Sequence, residues 1–165
     1  MKKDYDLFKK INKFANRYNW LDYIGIFFAE YSGFVMIFYL IFLIWKDNFT
    51  PDLFFKAMAL AFFTRFILLK IIRKFIIRNR PFTDHNVNLL IKRLTDLSFP
   101  SGHSTFFFTL SFVVWFNNSE VGSWMLLNSF LIGLSRIFVG VHYPLDILGG
   151  SFLAYLVAFI ENRLF

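Results

Sequence analysis

The chain contains no cysteine and only three histidines among its 165 residues. Disulfides and thiolate nucleophiles are therefore excluded, and so is zinc held by thiolates. The three histidines are scattered and show no metal-ligand spacing, so neither a metal nor another cofactor is expected. Acids are also scarce: 11 Asp and Glu stand against 18 Lys and Arg, a net charge of +7. Such a balance suits either nucleic acid or an anionic lipid surface. The basic residues crowd the ends of apolar segments, which selects lipid headgroups or a bound phosphate and argues against nucleic acid. No internal repeat or low-complexity segment interrupts the chain, and a single domain over 1–165 is expected.

Apolar surface is what the sequence has in excess. Apolar residues make up 57%, and 26 residues are Phe, against roughly 45–50% apolar in an average soluble domain. Residues 23–45 hold one carboxylate, Glu30, in 23 positions. About 20 apolar residues suffice to cross a hydrocarbon core of about 30 Å. A chain this small cannot enclose several such helices in a soluble core. The expected fold is all-α, a membrane bundle of about five spans at 21–45, 53–77, 104–116, 123–139 and from Pro144 to about Glu161. Trp20 and Trp45 flank the first span as interfacial anchors, and Pro51 suits the first turn of the second. In residues 1–19, Leu7, Phe8, Ile11, Phe14, Ala15 and Tyr18 follow helical spacing, with Lys3, Lys9, Lys10, Lys13 and Arg17 between them. This predicts an amphipathic interfacial helix ahead of a transmembrane core at 20–165. It lacks the apolar core and small-residue cleavage site of a secretory signal.

Three stretches place costly polar groups at the ends of these spans. His142 and Asp146 lie four apart across Pro144, so the carboxylate can hold one imidazole nitrogen and leave the other free as a nucleophile or base. Alone, such a pair is more often an ordinary helix-end contact. Arg136 stands six residues before His142 with Gly140 between. Its planar fork matches phosphate oxygens, although an interfacial arginine can also snorkel to headgroups. Pro100-Ser101-Gly102-His103 precedes an apolar helix whose first N–H groups make an anion site. Ser101 adds a hydroxyl there and His103 an acid; the competing reading is an N-capping serine followed by an interfacial histidine. Arg73 and Arg80 share a helix face if span two continues to Asn79, with Pro81 ending it. Lys70, Lys74 and Arg78 read equally well as plain anchors. Glu30 either orients a site arginine or moves a proton, or else simply pairs with a basic residue inside the bundle. Asp84 and His85 read as surface residues of the one polar loop.

Together the three stretches resemble the type 2 phosphatidic acid phosphatase (PAP2) family, which also includes vanadium haloperoxidases. The family pattern is Lys, six residues, Arg-Pro; then Pro-Ser-Gly-His; then Ser-Arg, five residues, His, three residues, Asp. The second and third parts match fully as Pro100-Ser101-Gly102-His103 and as Ser135-Arg136, His142 and Asp146. The first departs, because Arg73 stands where the family has Lys, ahead of Arg80-Pro81. Neighbouring Lys74 is the other candidate for that role, although it points about 100° away on a helix. The resemblance implies that His142 attacks phosphorus to form a phosphohistidine, oriented by Asp146. His103 would protonate the leaving oxygen and then activate water. Arg73, Arg80, Arg136, Ser101 and Gly102 would hold the phosphoryl oxygens, with the arginines taking the part of a metal.

Within the family, residues 80–91, Leu21-Asp22 and Glu30-Tyr31 look most like bacitracin-resistance undecaprenyl-diphosphate phosphatases. Lipid A 1-phosphatases and phosphatidylglycerophosphate phosphatases share the same core. The expected substrate is undecaprenyl diphosphate, with Arg78, Lys92 or Arg93 meeting its extra charge. A noncatalytic lipid-phosphate binding or transport protein would need only the arginines, so His142, His103 and Asp146 argue against it. The excess of Lys and Arg on the site-bearing side would put that side in the cytoplasm. The resemblance puts it on the outer, periplasmic face of a bacterial inner membrane. The outer face is the expectation adopted, since site arginines answer to phosphate and not to topology.

Overall fold

The structure is a computed structural model, and it describes residues 2–92 and 97–164. Among the described residues every regular element is helical. A short α1 (Lys2–Asn12) precedes a continuous rod made of α2 (Asn19–Ile26), a π turn (Phe27–Tyr31) and α3 (Ser32–Trp45). A second rod joins α4 (Pro51–Phe63), another π turn (Thr64–Leu68) and α5 (Leu69–Phe75). After the four-residue α6 (Pro81–Asp84) come α7 (Gly102–Asn117), α8 (Ser119–Phe138) and α9 (Pro144–Leu164).

Among the described residues three rods are long and apolar enough to cross a membrane: Asn19–Trp45, Ser119–Phe138 and Pro144–Leu164. The rod at 51–75 is long but carries Arg65, Lys70, Arg73 and Lys74. Helix α7 has 16 residues, about 24 Å at 1.5 Å per residue, and it forms the axis of the bundle with α4, α8 and α9 packed around it. Leu110, Val113 and Val114 of α7 are fully buried against Leu40, Ala57, Ala61, Met125 and Ala158.

Large apolar side chains cover much of the outer surface. Phe38 is 68% exposed and Phe152 65%. Hydroxyls lie inside instead: Thr64, Thr105, Thr109, Ser111 and Ser129 are fully buried. Thr64 donates to the Leu60 carbonyl at 2.7 Å and Thr109 to that of Thr105 at 2.7 Å, while Ser111 and Ser129 join α7 to α8 at 2.8 Å. Small and hydroxylated residues let helices approach closely where lipid, not water, is the solvent. At the end of the bundle remote from the site, Lys56 Nζ lies 2.8 Å from Glu161 Oε1.

Several expected boundaries move. The N-terminal helix stops at Asn12 and not near 19, because residues 13–17 form turns in which Asn16 takes φ +61°. Its docking face is also rotated. The buried positions are Asp4, Phe8, Asn12 and Ala15, while Leu7, Phe14 and Tyr18 stay exposed. Two polar residues turn inward because both find partners, and Phe8 packs edge-on to Tyr143 at 5.5 Å between ring centroids. Helix α1 is thus packed onto α8 and α9. Span two ends at Phe75, with Ile76 already extended, so Arg73 and Arg80 do not share a helix. The apolar Ile76 and Ile77 hide that break in the sequence. Pro81 bars Arg80 from helical ψ, and Arg80 sits at φ −79°, ψ 156° as residues before proline do. The link expected at 117–122 shrinks to Asn118, whose side chain accepts a 3.1 Å hydrogen bond from the Val121 N–H and so caps α8.

Candidate active site

The three sequence stretches meet at one end of the bundle. The Val139–Tyr143 connector between α8 and α9 turns at Gly140, where φ is +90° and a Cβ would lie 2.7 Å from the Asn88 carbonyl. Only glycine fits there. Asn12 fixes the same corner by donating to the carbonyls of Asn88 and Phe138, each at 2.8 Å. The turn delivers His142 just ahead of Pro144, which starts α9.

His142 is 1% exposed and Asp146 fully buried. Four donors converge on the Asp146 carboxylate. Oδ1 accepts from Arg78 Nη1 at 2.7 Å. Oδ2 accepts from the Tyr143 N–H at 2.8 Å, from the Ser98 hydroxyl, and from His142 Nδ1 at 3.4 Å. Ser98 Oγ also lies 3.3 Å from that Nδ1. Assigning the ring proton to Nδ1 satisfies both contacts and leaves Nε2 with a free lone pair. Burial pulls the His142 pKa down from 6.5 to about 4; the Asp146 hydrogen bond opposes it, and the Arg136 and Arg80 charges add to it. The imidazole is therefore neutral at physiological pH, the state in which Nε2 can attack or accept a proton.

The Pro100–His103 turn is tied to this pair. The Ser101 N–H donates to the Asp146 carbonyl at 3.0 Å, and the Ser98 N–H to the Arg78 carbonyl at 2.7 Å. Ser101 stands at the N-cap of α7, and its side chain makes no capping bond. Its Oγ accepts instead from Ser104 at 3.3 Å. Gly150 of α9 approaches so closely that a Cβ there would lie 2.8 Å from Thr105 Oγ1. Arg73 reaches into the turn and donates to the Pro100 carbonyl at 3.0 Å, whereas Lys74 is exposed. Of the two candidates for the family's lysine position, Arg73 is the one that faces the turn. His103 occupies the second residue of α7, beside Gly102.

Arg136, in the last turn of α8, is 1% exposed. Its Nη1 donates to Glu30 Oε1 at 2.8 Å and to the Ala29 carbonyl at 3.2 Å. Both acceptors belong to the first π turn, a wide turn of the kind that recurs at functional sites. A buried arginine stripped of its carboxylate keeps its charge in a medium that penalises it. Glu30→Gln is accordingly expected to lower kcat/KM by between about tenfold and a hundredfold through misplacement of Arg136. Steady-state kinetics check this, and unchanged kcat/KM would make the pair a packing feature only.

Sequence reasoning did not find Ser98, or Asp4 of α1. Asp4 accepts from the Leu145 N–H at 3.0 Å and pairs with Arg78. Arg78 is thus held between two carboxylates and stacks over the Tyr143 ring at 4.2 Å. Lys92 is exposed, and Arg93 lies outside the described residues. His85 stacks on Tyr5 with centroids 3.9 Å apart. A fourth arginine, Arg65, also went unread, although a charge deep in an apolar span is by itself a signal.

A family profile described as the PAP2 superfamily matches residues 50–165. The chain is 36% identical to the bacitracin transport permease protein BcrC of Bacillus licheniformis over 155 residues, 93% of this chain and 76% of that protein. It is 33% identical to the undecaprenyl-diphosphatase BcrC of Bacillus subtilis over 164 residues, 97% of this chain and 83% of that one. The crystal structure of Aquifex aeolicus LpxE superposes with a TM-score of 0.71 at 27% identity, covering 96% of this chain and 93% of the other. With the motif residues gathered at one end of an apolar helical bundle and these similarities along nearly its whole length, the chain belongs to the PAP2 superfamily of lipid phosphatases and is a membrane-spanning hydrolase.

Proposed function

We propose that the protein hydrolyses undecaprenyl diphosphate to undecaprenyl phosphate and inorganic phosphate through a phosphohistidine. The observation that carries the reaction is the buried neutral His142, locked by Asp146 and influenced by the Arg80 and Arg136 charges. The name of the Bacillus subtilis relative supports the choice of substrate. His142 Nε2 attacks the terminal phosphorus. The bond to the bridging oxygen breaks, its electron pair stays on that oxygen, and His103 supplies the proton. Water then attacks the phosphohistidine and loses a proton to His103, releasing inorganic phosphate and restoring His142. Arg73, Arg80, Arg136 and the Ser101-Gly102 turn hold the equatorial oxygens, the positioning and charge that phosphoryl transfer asks of a protein. Positive charge supplied by arginines leaves no step for a metal, so EDTA should not inhibit. Residues 1–165 act as one unit, with α1 bracing Arg78, and the site opens on the outer face of the bacterial inner membrane.

The test is phosphate release by the purified, detergent-solubilised protein on undecaprenyl diphosphate, lipid A, phosphatidylglycerophosphate and phosphatidic acid. A kcat/KM at least about tenfold higher for the diphosphate, about 1.4 kcal/mol of selectivity, is expected. Preference for any other lipid would replace the substrate. No release from any of them would leave a lipid-phosphate binding protein. Labelling of Lys92→Cys by an impermeant thiol reagent in intact cells tests the sidedness, and labelling only after permeabilisation would reverse it.

A further inference from the structure

Among the described residues there are two π turns, and each carries a charged residue of its span: Glu30 in Phe27–Tyr31 and Arg65 in Thr64–Leu68. Arg65 is the fifteenth residue of the 51–75 rod, and it lies eight residues before Arg73. Eight residues correspond to about 12 Å along the helix axis, so Arg65 is anchored well below the level from which Arg73 meets the Pro100 carbonyl. Both side chains nevertheless converge on one turn. A Cβ built on Gly102 would lie 3.4 Å from Arg65 Nη1, 3.6 Å from Cζ and 3.9 Å from Nη2. The guanidinium therefore lies against the α-carbon of Gly102, beside His103 and one residue from the Ser101 N–H bonded to Asp146. The fork thus packs in ordinary van der Waals contact against the Pro100–His103 turn.

An ionised group this deep is costly and marks a functional site by default, and its direction of approach defines the service. Arg73 comes from the end of the rod and Arg65 from the membrane interior, the side on which a lipid tail must lie. In a lipid diphosphate the terminal phosphorus is the one attacked. The second phosphate stands between the reaction centre and the tail.

We propose that Arg65 binds the lipid-linked phosphate of a diphosphate substrate, the one that leaves as the lipid monophosphate, and thereby sets diphosphate over monophosphate selectivity. This rests on the diphosphatase reading above. Arg65 would hold the non-bridging oxygens of that phosphate while the electron pair of the broken bond settles on the bridging oxygen. The planar fork suits it to two oxygens at once, which lysine cannot match. Arg65 is a specificity residue in this account, so its removal should spare a substrate that lacks the second phosphate.

The matched probes are farnesyl diphosphate and farnesyl monophosphate, which share one tail. For the monophosphate, kcat/KM is read, or its Ki against the diphosphate where turnover is too slow to follow. Arg65→Gln is expected to lower kcat/KM for the diphosphate about a hundredfold, the loss of one bidentate charged contact, and to change the monophosphate value less than threefold. Arg65→Lys should fall between and, by keeping the charge, guard against a folding defect in the first variant. Equal losses on both probes in both variants, or no loss on the diphosphate, would overturn the assignment. Failure of the unaltered protein to hydrolyse farnesyl diphosphate would overturn the diphosphatase reading itself, and this inference with it.

Discussion

His142→Ala is expected to reduce turnover at least about a thousandfold, the scale on which removal of a covalent nucleophile acts, while the bundle stays folded. The two halves of this expectation have separate causes. In the proposed mechanism turnover fails because the attacking Nε2 lone pair is gone, the one that burial with a pKa of about 4 keeps unprotonated at neutral pH. Folding survives because the imidazole is neutral, so its loss strands no charge. Asp146 retains Arg78 at 2.7 Å and the Tyr143 N–H at 2.8 Å, along with the Ser98 hydroxyl. The variant should therefore melt within a few degrees of the parent, with a truncation cost of about 1–2 kcal/mol. Rapid quenching of the unaltered protein with labelled diphosphate should trap an acid-labile, base-stable phosphoenzyme that the variant lacks. Vanadate, a trigonal-bipyramidal mimic of the transition state, should inhibit the unaltered protein. Hydrolysis above a few per cent of the parent rate in His142→Ala would refute the nucleophile assignment.

Much of this site is legible in the sequence because its polar residues are concentrated in short stretches. His142 and Asp146 lie four positions apart, and the start of a helix at Pro144 brings their side chains together whatever else the chain does. The rods were legible from the lengths of their apolar runs. What stayed hidden depends on departures from regular periodicity. Ile76 and Ile77 continue an apolar run past the point where the backbone becomes extended, so the sequence carries no mark of the break that turns Arg78 inward. A π turn shifts the helical face after it, so the contact of Arg65 with Gly102 does not follow from a 3.6-residue count, whereas Glu30 beside a site arginine is legible in the sequence, although which arginine is not. Helix α1 misled for a related reason. Its apolar residues suggested a lipid-facing stripe, whereas Asp4 and Asn12 are the positions with partners inside. Polar residues in a short amphipathic helix reveal their direction only when the acceptors and donors across the interface are known.

Asp146→Asn should be nearly as severe for catalysis as loss of the nucleophile, about a thousandfold in kcat, and it should also destabilise the protein. Every hydrogen bond to the carboxylate comes from a donor: Arg78, Ser98, the Tyr143 N–H and His142 Nδ1. An amide offers one acceptor oxygen and one NH2. The Tyr143 N–H cannot turn away, so the oxygen must take the Oδ2 position, and the NH2 then faces Arg78. That arrangement leaves a donor against a donor and Arg78 with Asp4 as its carboxylate, at a cost of about 3 kcal/mol for a broken buried pair. The His142 tautomer is also less firmly held, because an amide oxygen stabilises the imidazole cation of the transition state far less than a carboxylate does. Arg78→Gln in the same background separates the two effects. The double variant should recover much of the lost melting temperature, since a glutamine amide can accept from the new asparagine NH2 where a guanidinium can only donate, yet remain as slow as Asp146→Asn alone. Recovery of turnover together with stability would show that Asp146 acts only by holding Arg78, and its role in orienting His142 would have to be abandoned.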